Sequence, residues 1–240
     1  MTTHDNSSGN SYLPERRNFI KNGLILTMTG TAVVGLLSGC KGEEGEEKEV
    51  SPPEDLMQEH GLLNRVLLIY DACRTHLETG TSFPPGALSN AAGIIRSFVE
   101  DYHEKQEENY LFPRFKKANQ LTDLVAVLLV QHQAGRILTD KIMLLAKTNP
   151  LSESEKRTLI QSLTSFNTMY RPHETREDTI LFPAFRKIVS KHEYDALGEE
   201  FEKNEQKLFG KDGFEAQVDK VAHIEKSLGI YELSQFTPQV

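Results

Sequence analysis

Residues 103–117 read H-E-K-Q-E-E-N-Y-L-F-P-R-F-K-K, and residues 173–187 read H-E-T-R-E-D-T-I-L-F-P-A-F-R-K. Eight of the fifteen positions are identical, which indicates that the chain contains an internal duplication. In both copies a histidine precedes a glutamate by four residues: His103 and Glu107, and His173 and Glu177. Residues with this spacing lie on one face of a helix, where an imidazole and a carboxylate can bind one metal ion together or share two.

Two more histidines extend the duplication towards the N-terminus of each copy. His60 lies 43 residues before His103, and His132 lies 41 residues before His173. Both fall on the apolar face of a predicted helix, as the 3.6-residue period of the surrounding leucine and valine residues indicates. The predicted inward-facing set therefore comprises four histidines and two glutamates: His60, His103, Glu107, His132, His173 and Glu177.

The hydrophobic pattern predicts an all-α fold, because alternating β-branched stretches are rare in the chain. Four long helices are predicted, over residues 53–78, 87–117, 121–147 and 152–190. Two amphipathic helix pairs related by duplication predict an antiparallel four-helix bundle over residues 56–190. The C-terminal extension, residues 191–240, is expected to form two further helices, over 192–209 and 213–228, packed on the outside of the bundle.

The first forty residues have the organisation of an export signal. Residues 16–21 read R-R-N-F-I-K and resemble a twin-arginine signal, and an apolar run follows over residues 23–37. Residues 37–40 read L-S-G-C and resemble a bacterial lipobox. A plain secretory signal with an incidental cysteine is the alternative interpretation.

Lipidation of Cys40 after cleavage would anchor the mature protein to a membrane. Residues 41–55 are acidic, contain glycine and proline and are poor in apolar side chains, so they are predicted to form a flexible tether. The predicted location is the bacterial cell envelope, on the periplasmic or outer face. The twin-arginine export machinery is the predicted transport partner.

The charge and the cysteine count exclude other classes. The net charge is -8, with 35 acidic and 27 basic residues, and no basic stripe is present, which argues against a nucleic-acid partner. Only two cysteines occur, so lipidation of Cys40 leaves Cys73 without a partner for an intramolecular disulfide. Cys73 is expected to be a buried apolar residue of the first helix.

The six inward-facing residues offer nitrogen and oxygen donors without thiolate, a combination that suits iron, manganese or zinc. Six protein ligands are too many for a single closed zinc site, which prefers four, but they suit two ions bridged by the two carboxylates. The alternative is that the histidines are hydrogen-bonded core residues. The burial of two carboxylates argues against that interpretation, because an unpaired buried charge is costly.

These motifs resemble the hemerythrin-like, HHE cation-binding family. The resemblance rests on the pattern H…H-x-x-x-E…H…H-x-x-x-E with L-F-P after each pair, and it covers about residues 56–187. It implies a four-helix bundle with a non-haem di-iron centre. By position, the terminal ligands would be His60, His103, His132 and His173, and the bridging ligands would be Glu107 and Glu177.

Two positions depart from the oxygen-carrying hemerythrins. Those proteins have a second histidine on the third helix, where this chain has Arg136, and an aspartate as the fourth-helix carboxylate, at the position of Asp178. Glu177 is favoured over Asp178 as the bridging residue because it matches Glu107 in the repeat. The missing histidine leaves a coordination position open and weakens the case for a reversible oxygen carrier.

The resemblance implies a protein that binds or senses a small diatomic ligand, such as dioxygen or nitric oxide, at two iron ions. Two alternatives stay open: an oxidoreductase that consumes peroxide or nitric oxide, with a redox partner that the sequence does not identify, and an iron storage or delivery protein. Near the site, Tyr102 and Tyr170 are expected to pack in the core, although they could donate to a bound oxygen species. Glu104 and Glu108 are expected to be solvated.

Overall fold

A computed structural model describes residues 51–239, and this part of the chain is helical, without a strand. Its main helices, in chain order, are α1 (Pro52–Thr79), α2 (residues 87–118), α3 (Thr122–Leu145), α4 (residues 153–188), α5 (Lys191–Phe209) and α6 (Gly213–Leu228). Helices α1 to α4 form the predicted bundle, and each begins and ends within two residues of its predicted bounds. The export signal and Cys40 were predicted within residues 1–50, which lie outside the described residues. No described helix has the length and apolar character needed to cross a membrane.

Helices α2 and α4 contain wider, π-helical turns. These span Ile95–His103 and Glu107–Leu111 in α2, and Glu177–Leu181 in α4. The last two occupy equivalent positions of the repeat, and both end just before a Phe-Pro pair. Because proline has no N–H to donate to the preceding turn, a wider turn is favoured at these positions. Wider turns change which side chains face inward, so they bear directly on the site.

The start of α1 corrects the predicted tether over residues 41–55. Ser51 caps the helix: its hydroxyl accepts a hydrogen bond from the Glu54 N–H, and the Glu54 carboxylate accepts one from the Ser51 N–H at 2.9 Å. Pro52 stands at the start of the helix, where the missing N–H costs nothing. Asp55 is already buried. The last five residues of the predicted tether therefore belong to the folded domain.

Two hydrophobic clusters fill the bundle, and each takes side chains from all four helices. The larger cluster contains, for example, Val66, Phe98, Ile142 and Phe166, and the smaller one contains Leu56, Phe112, Val125 and Phe185. On every bundle helix the inward-facing histidines and glutamates lie between the stretches that supply these clusters. The smaller cluster comes first along α1 and α3 and second along α2 and α4, as an antiparallel arrangement requires.

Helices α5 and α6 pack against α1 and α2, which confirms the predicted helical extension. Phe201 of α5 belongs to the smaller cluster, and Val221 and Ile224 of α6 belong to the larger one. Phe209, at the end of α5, lies with its ring centroid 5.5 Å from that of Phe98. The extension therefore buries apolar surface of the bundle.

Candidate metal centre

The structure brings all six predicted residues together in the middle of the bundle, and all six are buried. The histidines form two pairs, one in each half of the duplication. The two members of a pair come from the two helices of that half. In the first pair, His60 and His103 have ring centroids 4.8 Å apart. In the second pair, His132 and His173 have ring centroids 5.0 Å apart and Nε2 atoms 3.3 Å apart.

Glu107 and Glu177 lie between the two histidine pairs. The shortest oxygen-to-Nε2 distances are 3.9 Å to His103 and 3.4 Å to His132 for Glu107, and 3.5 Å to His60 and 3.1 Å to His173 for Glu177. Each carboxylate therefore reaches one histidine of each pair. This is the arrangement expected of two carboxylates that bridge two metal ions.

The oxygens of both glutamates lack hydrogen-bond donors. Glu107 and Glu177 are 0 % exposed, and none of their four carboxylate oxygens has a hydrogen-bond partner. Burial, together with the charge of Glu177, raises the pKa of Glu107 well above its ordinary value. Burial would also raise the pKa of Glu177, but the imidazoles of His173 and His60 hold it well below its ordinary value. Two adjacent buried carboxylates are strongly destabilising without a cation between them.

The Nδ1 atom of each of these four histidines is held by a side chain from outside the six. The distances are 2.8 Å from His60 to Asp178, 2.7 Å from His103 to Glu59, 3.1 Å from His132 to Glu108 and 2.8 Å from His173 to Gln131. An acceptor at Nδ1 holds the ring proton there and leaves the Nε2 lone pair for a metal ion. All four imidazoles are thus oriented as metal ligands.

These Nδ1 partners follow the duplication. Glu59 and Gln131 stand at equivalent positions, and each holds the second histidine of its own half. Glu108 and Asp178 are also equivalent, and each holds the first histidine of the opposite half. Sequence reasoning did not predict this set, although the alignment of Glu108 with Asp178 in the repeat was a signal that could have suggested it.

Asp178, the alternative candidate for the bridging carboxylate, does not face the space between the pairs. Its side chain is 35 % exposed and accepts from Nδ1 of His60. Glu177 is the inward-facing residue at this turn. Glu177 therefore lies between the histidine pairs, whereas Asp178 holds Nδ1 of His60 from outside.

Among the six predicted residues, the donor atoms form two overlapping groups that could hold metal ions. One group comes from Glu107, His132, His173 and Glu177, and the other from His60, His103 and Glu107; within each group the donor atoms lie within 4.8 Å of one another. The family model of the hemerythrin HHE cation binding domain matches residues 51–185. The chain belongs to this hemerythrin HHE family.

Relatives of this HHE protein occur in mycobacteria. Uncharacterised proteins of Mycobacterium tuberculosis and Mycobacterium bovis are 44% identical to it over 228 residues, which cover 90% of this chain and 89% of theirs. The similarity extends beyond the HHE domain itself. No solved structure matches the chain significantly.

Glu104 and Glu108 of the HHE domain are not solvated, which corrects the prediction for both. Glu104 is 1 % exposed, accepts a hydrogen bond from the Tyr170 hydroxyl at 2.6 Å and pairs with Arg136 at 2.5 Å. Glu108 is partly buried and pairs with the same guanidinium at 2.6 Å. The prediction failed because both side chains face α3, where the Arg136 guanidinium pairs with each of them. Burial raises the pKa of Glu104 to about 8.

The phenylalanines of the two L-F-P motifs pack directly on the HHE histidines. Phe112 stacks on His132 with ring centroids 5.6 Å apart, and Phe182 stacks on His60 at 5.5 Å. Each ring comes from the half of the duplication opposite to its histidine. The motif predicted as a core anchor therefore also fixes two imidazole planes and keeps water from them.

Both tyrosines near the site are buried, and their hydroxyls serve carboxylates. Tyr102 donates to Glu59 at 3.2 Å, and Tyr170 donates to Glu104 at 2.6 Å. The Tyr170 side chain packs directly against Gly135 of α3, where only a glycine leaves room for it. A Cβ at this position would overlap the tyrosine hydroxyl.

Replacing Gly135 by alanine is therefore expected to lower stability. The added methyl group would displace Tyr170 from the buried Glu104, at a cost of about 1–3 kcal/mol. Gly61→Ala is the matched control, because a Cβ there meets nothing within 4 Å, and the change should stabilise α1 by about 0.5–1 kcal/mol. Thermal unfolding of both variants checks this; a Gly135→Ala variant as stable as the wild type would contradict the role given to the glycine.

Proposed function

We propose that this protein is a non-haem di-iron protein of the bacterial cell envelope that binds or senses a small diatomic ligand, such as dioxygen or nitric oxide. The observation that carries this function is the environment of Glu107 and Glu177. Both are fully buried, their oxygens have no hydrogen-bond partner, and each lies within 4 Å of a histidine from both pairs. Two cations at this place would satisfy both carboxylates and all four imidazoles.

Each ion would be held by one histidine pair and would share both glutamates. The first ion position is the one beside His60 and His103, and the second is the one beside His132 and His173. Imidazole and carboxylate donors without thiolate suit iron, and they also accept manganese or zinc. Iron is proposed because two imidazoles and two shared carboxylates leave coordination positions open for an added ligand.

Arg136 supports an open position at the second ion position. It lies one helical turn after His132, but its guanidinium pairs with Glu104 and Glu108 and has no lone pair to offer a metal. Ferrous iron with an open position supplies the electrons and the binding site that dioxygen or nitric oxide needs. The stacked rings of Phe112 and Phe182 and the burial of the site limit access to small molecules.

A spectroscopic experiment tests this function. The chain from residue 41 onward is purified without oxygen, loaded with ferrous iron and exposed to dioxygen or nitric oxide. We expect a new near-ultraviolet or visible band, and Glu107→Gln should not show it. Decay of the band when the ligand is removed would favour a carrier, and irreversible oxidation would favour a sensor or an enzyme. Sustained consumption of peroxide or nitric oxide with a reductant would favour the oxidoreductase instead, and readily exchanged iron without a ligand band would favour storage or delivery. A chain that binds no metal would contradict all three.

The proposed location rests on the sequence of the N-terminal segment. Residues 16–21 resemble a twin-arginine signal, and the L-S-G-C sequence ends at Cys40, where lipid would be attached. Twin-arginine export carries folded proteins, and this agrees with a domain that binds its metal before transport.

Replacing Cys40 by serine is expected to move most of the protein from the membrane fraction to the soluble fraction, because the anchor would be lost. Cys73→Ser is the matched control: Cys73 is buried in α1, so its replacement should leave the location unchanged. Changing Arg16 and Arg17 together to lysine should block export and leave the precursor inside the cell. Immunoblots of cell fractions check these results, and wild-type protein found only in the soluble fraction would contradict the lipid anchor.

A further inference from the structure

The two halves of the duplication differ in charge at several positions, and three of these differences, which involve partners of the histidines or their neighbours, share one sign. At three sets of equivalent positions one half carries a charge that the other lacks: Glu59 and Gln131, Asn64 and Arg136, and Thr175 and Lys105. In each set the residue near the first ion position is one unit charge more negative than its counterpart near the second. The bridging glutamates are common to both positions and do not contribute to this difference.

At the first ion position both imidazoles face carboxylates. Nδ1 of His103 lies 2.7 Å from Glu59, and Nδ1 of His60 lies 2.8 Å from Asp178. The buried Glu174, one residue after His173, accepts a hydrogen bond from the neutral amide of Asn64 at 2.5 Å. Among residues 51–239, no lysine or arginine forms an ion pair with Asp178 or Glu174.

At the second ion position the corresponding partners are neutral or neutralised. Nδ1 of His173 faces the uncharged amide of Gln131 at 2.8 Å. Nδ1 of His132 faces Glu108, but that carboxylate also pairs with Arg136 at 2.6 Å and with Lys105 at 2.5 Å.

These differences act on a metal ion in a predictable direction. A carboxylate that accepts from Nδ1 makes the imidazole a more basic ligand than an amide does, and a cation paired with that carboxylate weakens the effect. Because the site is buried, each charge acts more strongly on a metal ion than it would in water. The more negative environment stabilises the more highly charged oxidation state.

We propose that the two ion positions are electrostatically unequal and that the iron beside His60 and His103 is the one oxidised first. This inference rests on the di-iron function proposed above. When one electron passes from the diferrous centre to a one-electron acceptor, the ion at the first position becomes ferric and the ion at the second stays ferrous. No covalent bond forms or breaks in this step. Glu59 and Arg136 act as positioning residues that set the order of oxidation.

A stepwise redox titration of the iron-loaded chain tests the inference. Ferricyanide is the oxidant, and electron paramagnetic resonance follows the mixed-valent form. The wild type is expected to lose two electrons in separate steps. Glu59→Gln should make the first oxidation harder and leave the second nearly unchanged, whereas Gln131→Glu should make the second easier and leave the first nearly unchanged. Each change should lower the equilibrium constant for formation of the mixed-valent form about tenfold, which corresponds to about 59 mV between the two potentials.

Lys105→Thr and Thr175→Lys form a second, milder pair, because both positions are at least partly exposed and lie on the helix surface. Lys105→Thr should ease the second oxidation, and Thr175→Lys should hinder the first. The inference would be overturned if, in either pair of variants, the change near the first ion position altered the second oxidation and the change near the second altered the first. A single two-electron step in the wild type would also overturn it. Iron content is measured on the same samples: fewer than two irons in the wild type would contradict the di-iron function itself, whereas two irons with a reversed order would contradict only the inequality.

Discussion

Replacing Glu107 by glutamine is expected to abolish the two-ion centre and, at the same time, to make the metal-free protein more stable. Glutamine keeps the shape of the side chain but removes the charge that would bridge two ions. The affinity for metal should fall by more than the 10- to 100-fold that is typical for loss of an outer hydrogen-bond partner. Without metal, the neutral amide removes the cost of keeping the buried Glu107 carboxyl protonated next to Glu177, and the stability should rise by about 1–3 kcal/mol. Metal analysis after dialysis and thermal unfolding of the metal-free protein measure the two effects.

Asp178→Asn is the matched control for this change. Asp178 contacts Nδ1 of His60 and does not face the space between the pairs, so the variant should still bind two ions, with an affinity lowered about tenfold. The opposite signs of the two Glu107→Gln effects distinguish a bridging carboxylate from a purely structural one. A Glu107→Gln variant that keeps two ions, or that is less stable than the wild type without metal, would show that Glu107 does not bridge.

Removal of the metal is expected to destabilise the protein, and more at pH 8 than at pH 6.5. Burial raises the pKa of Glu104 and of Glu174 to about 8, and it raises the pKa of Glu107 as well. In the unfolded chain these carboxyls ionise near pH ~4.3. The stability that the protonated carboxyls contribute to the folded metal-free protein is therefore fully present below that pH, and it is lost as the pH rises through about 8.

The histidines do not reverse this trend within the chosen pH range. Burial would lower the pKa of His60, but its hydrogen bond to Asp178 and the nearby Glu177 carboxylate raise it to about 10, so the stability that protonated His60 contributes is also lost as the pH rises. Burial lowers the pKa values of His103 and His132. The stability that these neutral imidazoles contribute is already nearly complete above about pH 6.5, so it changes little between pH 6.5 and pH 8.

Denaturant unfolding at pH 6.5 and pH 8, with and without a chelator, measures the effect. The metal-free protein should lose about 1–3 kcal/mol between the two pH values. The metal-loaded protein should change little, because the ions replace the protons of the site. Glu174→Gln should reduce the pH dependence of the metal-free form. A metal-free protein that gains stability from pH 6.5 to pH 8 would contradict the assignment of these buried carboxyls.

The bundle and its six inward residues could be predicted from the sequence because the duplication supplied the same signal twice. His103 and Glu107 alone would have been compatible with an ordinary helix surface. Their repetition at His173 and Glu177, with equivalent histidines upstream, indicated which face of each helix points into the bundle. The start of α1 was also readable, since Ser51 and Glu54 form a capping-box sequence just before and within the predicted first turn.

The partners of the histidines could not be predicted in the same way. Asp178 reaches His60 and Glu108 reaches His132 across the two halves, so these contacts depend on how the helices pack and not on local spacing. Glu104 is buried against Tyr170 and Arg136, which lie on other helices, so local spacing does not reveal its environment either.

Metal analysis of the anaerobically loaded chain, combined with Mössbauer spectroscopy of bound iron, tests the di-iron centre most directly. Four histidines and two shared glutamates should hold two irons per chain in an environment of nitrogen and oxygen ligands. A single zinc ion, or no metal at all, would contradict the di-iron centre and leave the six buried residues with structural roles only.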